Sequence, residues 1–276
     1  MGGSVMGSEA PTSEIFALFS DSHIAADHEL IVRGAQMATN LEKCVASALA
    51  VTPKVGSVIL SGDCAYLNGQ HEDYETFAKV TKPIRDAGLP LHLMMGNHDD
   101  RAPFTAVLGR DPAMPPPVET RIAGVVKTHL ANWFLLDSLD ATNHTPGLLG
   151  EAQRKWLAGA LEAHAEKPAI VVVHHNIVTT PEKTSLQDSA ELLDLLRPQK
   201  QVKACLFGHT HVWESKADES GIHLINLPPT AYVFKQGRPN GWVQATLTAS
   251  ALKLQLHALD SAHPQNGEVK DFAWRA

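Results

Sequence analysis

An α/β fold with its functional site at the carboxyl ends of the strands is the architecture this sequence predicts. The first observation is a series of short β-rich runs that each break off into polar residues. Ile15–Phe19 leads into SDSH, Val58–Leu60 into SGDCAY, Leu91–Met95 into GNHDD, Ile170–Val173 into HHN and Ala204–Phe207 into GHTH. The second is that helical patterns separate these runs. Leu30–Leu49 is Ala-rich and amphipathic, Asp73–Ala87 follows, Glu151–His164 reads EAQRKWLAGALEAH, and Leu186–Leu196 is stopped by Arg197-Pro198. Strands alternating with helices imply an α/β protein that binds ligands beyond its strand ends. The third is a β-rich last quarter, with IHLINL, WVQATLTA and LKLQLHAL separated by turn-like Pro and Gly. No internal repeat and no Gly/Ser-rich linker divides the chain. A single domain over residues 15–276 is expected, behind a disordered leader or engineered scar at residues 1–14.

Bulk properties narrow the function. At 276 residues, 44% hydrophobic and 19% charged, the composition is that of a soluble globular protein with a substantial core. A net charge of -7 and the absence of any Lys/Arg-rich run argue against a nucleic acid polymer as partner. Three cysteines without a CxxC pair exclude a disulfide scaffold and a thiolate zinc site. No apolar stretch is long enough for a membrane span. The leader MGGSVMGSEAPTSE has neither a basic start nor a hydrophobic region. A cytoplasmic location is therefore the expectation, and a periplasmic or secreted one if a signal peptide has been removed.

Polar residues after one strand usually mark only a turn, because Gly, Asn and Asp all favour turns. Five strand ends behaving alike are different. Asp21 and His23 are two apart and project to one side of an extended segment, and His209 and His211 repeat that spacing. Asp63 and Asn97 each follow a Gly, and His174 ends the IVVV run. Together they offer carboxylate and amide oxygens and four imidazoles, enough for two metal ions sharing one carboxylate. A hydrophobic core gains nothing from so many polar groups at one rim.

The ordered blocks DSH at 21–23, GD at 62–63, GNHD at 96–99, HH at 174–175 and GHTH at 208–211 resemble the signature of the calcineurin-like metallophosphoesterases. The GNHDD block and LLGEAQRKWLAGAL are most similar to the bacterial branch of class III cyclic nucleotide phosphodiesterases and glycerophosphodiesterases. The resemblance implies a four-layer, two-sheet β-sandwich flanked by helices, and, since several members form dimers, a homodimer. It also implies the ligand sets: Asp21, His23, Asp63 and His211 for one metal, and Asp63, Asn97, His174 and His209 for the other. His98 and Asp99 become the catalytic candidates, with His98 facing the substrate and Asp99 orienting its ring. Asn97, His98 and His175 are the substrate-binding candidates, His175 lying mainly behind the ligands.

The implied activity is hydrolysis of small phosphate esters, most closely a phosphodiesterase acting on organic phosphodiesters or cyclic nucleotides. A phosphomonoesterase or nucleotide pyrophosphatase is the alternative, and a non-catalytic metal-binding module a further one. Two cations about 3.5–4 Å apart hold a bridging hydroxide, so no protein nucleophile is required. Cys64 beside Asp63 is then a packing residue. Mixed O/N ligation suits Fe, Mn, Zn or Co. Two positions depart from the family pattern: Tyr66 stands where many relatives have Asp or Asn, and Asn176 where relatives often have Pro. His71 reads mainly as a surface or strand-face residue, with the pocket within reach as the alternative, and Trp213 mainly as core or interface, with the pocket mouth as the alternative. Phe104, Pro115–Pro117 and PPTAYVF (228–234) read as loops that either shape a rim or simply pack.

Overall fold

The computed structural model of the protein describes residues 11–112, 117–178, 180 and 182–276. The first half contains β1 (Glu14–Phe19), β2 (Ile31–Val32), β3 (Ala35–Gln36), α1 (Met37–Ala50), β4 (Ser57–Leu60), α2 (His71–Val80), α3 (Lys82–Asp86), β5 (Leu91–Leu93), α4 (Arg101–Leu108), β6 (Gly124–Lys127) and β7 (Asn132–Leu135). The second contains α5 (Glu151–Ala163), β8 (Ala169–Val172), α6 (Ser189–Leu196), β9 (Val202–Phe207), β10 (Glu214–Ala217), β11 (His223–Asn226), β12 (Gly241–Leu247), β13 (Ala251–Ala258) and β14 (Val269–Ala273).

These strands make two six-stranded sheets, ordered β14-β13-β12-β1-β4-β5 and β10-β11-β9-β8-β7-β6, and a separate β2–β3 hairpin. The parallel strands are β1, β4 and β5 at one end of the first sheet, and β7, β8, β9 and β11 in the middle of the second. Parallel strands covered on both faces read as continuous apolar runs rather than alternating ones. In β1, Ile15, Ala17 and Phe19 face the helix layer, while Phe16 and Leu18 face the other sheet. In β8, Ala169 and Val171 pack toward α5 and α6, while Ile170 and Val172 point into the inter-sheet core. That core includes the Phe16–Trp133 ring pair at 4.7 Å. Helices α1 to α4 cover the outer face of the first sheet. The result is the expected four-layer sandwich.

Several boundaries differ from the expectation. The helix expected from Leu30 starts at Met37, because residues 31–36 form the β2–β3 hairpin, turned by Arg33 and Gly34 at φ 52° and 81°. The Asp73–Ala87 helix is two helices. Pro83 cannot donate to the turn before it, so the chain breaks at Thr81, whose Oγ1 caps the Phe77 carbonyl at 2.8 Å. The region around Phe104 is not loop but α4, N-capped by the Asp100 carboxylate, which accepts the Ala102 N–H at 3.0 Å. Glu14, assigned to the leader, opens β1, and its carboxylate accepts bonds from Thr128, His129 and Leu130. Residues 1–10 of the leader, and Pro115 and Pro116 of the proline run, lie outside the described residues. Among the described residues no helix is long and apolar enough to cross a membrane.

Candidate metal centre

Five parallel strands deliver the predicted residues to one rim. β1 leads to Asp21 and His23, β4 to Asp63, β5 to Asn97 and His98, β8 to His174 and His175, and β9 to His209 and His211. The backbone there is unusual. Asp21, His23, Asp63, His209 and His211 all adopt left-handed conformations, with φ between 47° and 69°. For an L-residue each costs about 1–2 kcal/mol, so neighbouring contacts must hold them. Backbone bonds do so between adjacent strand ends: Asp21 N–H to Gly62 O at 3.1 Å, His23 N–H to Asp63 O at 2.9 Å and Ile24 N–H to Cys64 O at 2.9 Å.

Two motif glycines are required by close approach rather than by their own conformation. A Cβ on Gly96 would collide with the Asp63 carboxylate and backbone, and one on Gly208 with Ser20 and Asp21. The loops are therefore pressed together at the positions where their carboxylates converge.

Six of the expected donors, Asp21, His23, Asp63, His174, His209 and His211, gather in overlapping groups. His211 Nε2 lies 3.4 Å from Asp21 Oδ1 and 3.1 Å from His23 Nε2, and His23 Nε2 lies 3.6 Å from Asp63 Oδ2. On the other side, His174 Nε2 lies 3.4 Å from the same Asp63 oxygen. Potential ligand atoms of Asp21, His23 and His211 lie within 4.8 Å of one another, as do those of Asp21, Asp63 and His174. Backbone carbonyls set the tautomers: His174 Nδ1 donates to Ser61 O at 2.9 Å and His211 Nδ1 to Tyr232 O at 2.6 Å. A carbonyl only accepts, so both rings keep their Nδ1 proton there and turn Nε2 toward the carboxylates, the usual arrangement of a metal-ligating histidine.

The residues fit metal ions on a physical count. His174 Nε2, His23 Nδ1 and Asn97 Oδ1 are buried without a hydrogen-bond partner, a cost that ligation at His174 Nε2 and Asn97 Oδ1 removes. Burial pushes the Asp21 and Asp63 carboxyls up, but His211 beside Asp21 and His174 beside Asp63 outweigh it and hold both well below the usual carboxylate range. Burial drives His23 down to about 3 and His209 down to about 4, so both are neutral at working pH. His174 is opposed by burial too, yet Asp63 and Asp21 raise it to about 9. Ionised carboxylates and neutral imidazoles are the forms that bind metal, and of His23, His174 and His209 only His174 has a proton to lose.

His98 sits half-buried beside this cluster. Its ring meets His23 edge-on at 5.2 Å, its N–H donates to Asp63 Oδ1 at 2.9 Å, and its Nδ1 donates to Leu67 O at 2.9 Å. Two expectations are corrected here. Asp99 does not orient His98: it is fully buried and accepts the N–H groups of Gly96, Ala65 and Cys64 at 2.8, 3.0 and 3.2 Å and the Tyr74 hydroxyl at 3.0 Å. It braces the β4 and β5 loops, and the group that orients His98 is the Leu67 carbonyl. His175 does not face substrate either: it has no exposed surface, bonds Ser138 Oγ at 2.7 Å and packs against His174 and His209 at 5.0 and 4.7 Å.

Three other residues follow their main sequence expectation. His71 is exposed on α2 beside Glu75, away from the cluster. Trp213 is core, its Nε1 donating to Glu268 at 2.8 Å. Cys64 is buried, and burial pushes its thiol well above the ordinary range, consistent with packing alone. Two wall residues lie in the expected rim segment PPTAYVF, and a third, Arg33, was not anticipated. Tyr232 stacks on His23 at 5.2 Å, Phe234 stacks on His211 at 4.1 Å, and Arg33 lies over both aromatic rings. The PPTAYVF segment was a visible signal for two of them; Arg33 had none. A cleft of about 1040 Å³ lies between the outer strands β5 and β6 and contains none of the cluster residues. Volume is a weaker guide here than chemistry.

Buried carboxylates shared between imidazoles, at the parallel-strand rim of a two-sheet sandwich, define a binuclear metal-dependent hydrolase. The Calcineurin-like phosphoesterase family matches residues 15–213, and the chain belongs to that family. A 3',5'-cyclic adenosine monophosphate phosphodiesterase CpdA from Pseudomonas aeruginosa is 28% identical over 232 residues, covering 82% of this chain and 79% of that protein. One of the same description from Haemophilus influenzae is 23% identical over 84% of this chain and 81% of its own length. The crystal structure of a dimetal phosphatase from Danio rerio shares the fold, with a TM-score of 0.71 at 14% identity over 95% of this chain and 99% of that one. The protein is accordingly a hydrolase of phosphate esters whose donor sets provide for two metal ions.

Proposed function

We propose that the protein is a phosphodiesterase of small organic phosphodiesters, with 3',5'-cyclic nucleotides the preferred class. The convergence of Asp21, His23 and His174 on Asp63 carries the reading, and the cyclic nucleotide phosphodiesterases among its relatives supply the substrate class. When bound, two ions would supply Lewis-acid charge at the phosphoryl oxygens and a nucleophile drawn from water. Asp21, His23 and His211 would hold one ion, Asn97, His174 and His209 the other, and Asp63 would serve both.

The chain supplies the remaining parts. His98 keeps its Nδ1 proton on the Leu67 carbonyl, so a second proton at Nε2 can pass to the leaving oxygen and leave the neutral ring in place. Asp99 keeps the Asp63 and Asn97 loops at fixed separation. Burial, then Asp63, raises Asp99 to about 6, so at neutral pH it is the acceptor-only carboxylate that its four donors require. Mixed oxygen and nitrogen donors favour Fe, Mn, Zn or Co over Ca.

The test is a screen on protein reconstituted with each of these metals, comparing kcat/KM for cyclic nucleotides, linear diesters and monoesters. Cyclic nucleotides are expected to lead. A preference for monoesters would replace the reading with a phosphomonoesterase. No metal-dependent hydrolysis of any ester would leave a metal-binding module.

A further inference from the structure

The wall beside the metal cluster has features that phosphoryl chemistry does not need. Among the described residues, four large hydrophobic side chains are exposed: Ile31, Leu67, Phe234 and Val269. Three of them belong to segments around this one mouth. Leu67 supplies the carbonyl that holds His98, Phe234 lies parallel to His211 with 54% of its surface open, and Ile31 is on the hairpin that carries Arg33. Exposed apolar surface gathered at one place marks a binding site.

Arg33 adds a cation to that wall. Its guanidinium carbon lies 5.3 Å from the Phe234 ring centre and 5.8 Å from that of Tyr232. The salt bridges between described residues do not include it. It also occupies a left-handed position in a two-residue hairpin turn, where Asn or Gly costs least. Strain kept at an arginine is a reason to seek a task for its side chain. The turn is held in place by Val32 and Ala35, which pack on the core of the first sheet.

The geometry points to a base-binding wall: Phe234 and Arg33 take the planar nucleobase of a nucleotide whose phosphate sits on the metal cluster. This rests on the nucleotide reading proposed above and assigns residues to it. The distances suit the division of labour. Phe234 is one ring thickness from His211, a candidate ligand, so a base stacked on its open surface lies beside the phosphoryl group rather than over it. An aromatic platform is sequence-tolerant, because every base has a π-face, and a guanidinium adds attraction to that face. An alkyl diester would gain little from either group. In a chain with net charge -7, a cation at the mouth also favours entry of an anion.

The experiment compares two phosphates that differ only by the base. Isothermal titration of adenosine 5'-monophosphate and of ribose 5-phosphate into manganese-loaded protein should show the nucleotide binding at least tenfold tighter. Phe234→Ala and Arg33→Ala should each shrink that gap severalfold, and Phe234→Tyr should retain it, because the stacking face survives. Ribose 5-phosphate affinity and metal content should stay within twofold in all three. Both side chains are exposed, so folding is not at stake, and a thermal melt checks it. Equal affinities in the wild type, or a gap that survives in both alanine variants, would overturn the assignment. Hydrolysis of bis(p-nitrophenyl) phosphate, measured in parallel, separates the outcomes: its absence sinks the phosphodiesterase reading, whereas its presence with no base gap sinks only the wall.

Discussion

At the residue scale, the sequence located the donors because metal chemistry constrains residue type as well as position. Asp21, His23, Asp63, Asn97, His174, His209 and His211 were each visible as a polar residue where an apolar run stops. The roles of the neighbours were not visible, because they depend on direction. Asp99 and His175 follow motif residues yet turn away from the pocket, and Leu67 contributes through a carbonyl that no sequence pattern marks. His98 tests the outcome most directly. His98→Ala should leave metal content unchanged and lower kcat about 10²–10⁴-fold. The loss should shrink for p-nitrophenolate, a leaving group that needs little protonation; loss of metal would instead make His98 a ligand. Proton bookkeeping gives a second check. In the metal-free protein His174, raised to about 9, is protonated at pH 7.5, whereas His23 and His209 are already neutral. Metal binding at pH 7.5 should therefore release close to one proton from these three imidazoles, and affinity should rise with pH until about 9 and then level. Titration calorimetry in buffers of different ionisation enthalpy reads this number, and no release would contradict the His174 assignment.

At the element scale, what was legible follows burial. Strands covered on both faces, β1, β4, β8 and β9, were found within two residues of their ends. The missed elements were α4, which is short and starts beside the motif that drew attention, and β2, β3, β6, β7, β10 and β14. In β10 the pattern ESKA has no buried face to reveal it. The joint between elements that matters most is Asp99, which ties the β4 loop to the β5 loop through three N–H groups and one hydroxyl. Asp99→Asn keeps the shape but places an amide donor against buried donors. It should cost about 1–3 kcal/mol of stability and loosen both Asp63 and Asn97. Tyr74→Phe removes one of the four donors to Asp99 and the acceptor of the Asp100 N–H, and should cost about 1–3 kcal/mol with metal content intact. Thermal melts with metal analysis of the two variants distinguish a brace from a packing residue. Equal, full metal loading in both would remove the positioning role from Asp99.

At the scale of the whole molecule, the α/β class was readable from alternation, but the second sheet was not. Apolar runs buried on both faces look alike whichever sheet they join, so nothing local assigns β7, β8 and β9 to a separate layer. That division matters for function. The first sheet supplies Asp21, His23, Asp63 and Asn97, and the second supplies His174, His209 and His211. Each four-residue donor set therefore draws on both sheets, and bound metal links two layers otherwise joined through the apolar core around Phe16 and Trp133. Unfolding of either sheet releases both ions, so metal should stabilise the molecule as one unit. Free metal at a hundredfold excess over its Kd adds about 2.7 kcal/mol per site, and in a chain of this size that raises Tm by about 5–10 °C. Calorimetric scans with and without chelator should show one transition that shifts by about 10–20 °C when both sites are filled. In His211→Ala, which removes only a second-sheet donor, the shift should fall by about half. Two separate transitions, of which only one moves with metal, would mean that the ions bind within one sheet and that the ligand sets are misassigned.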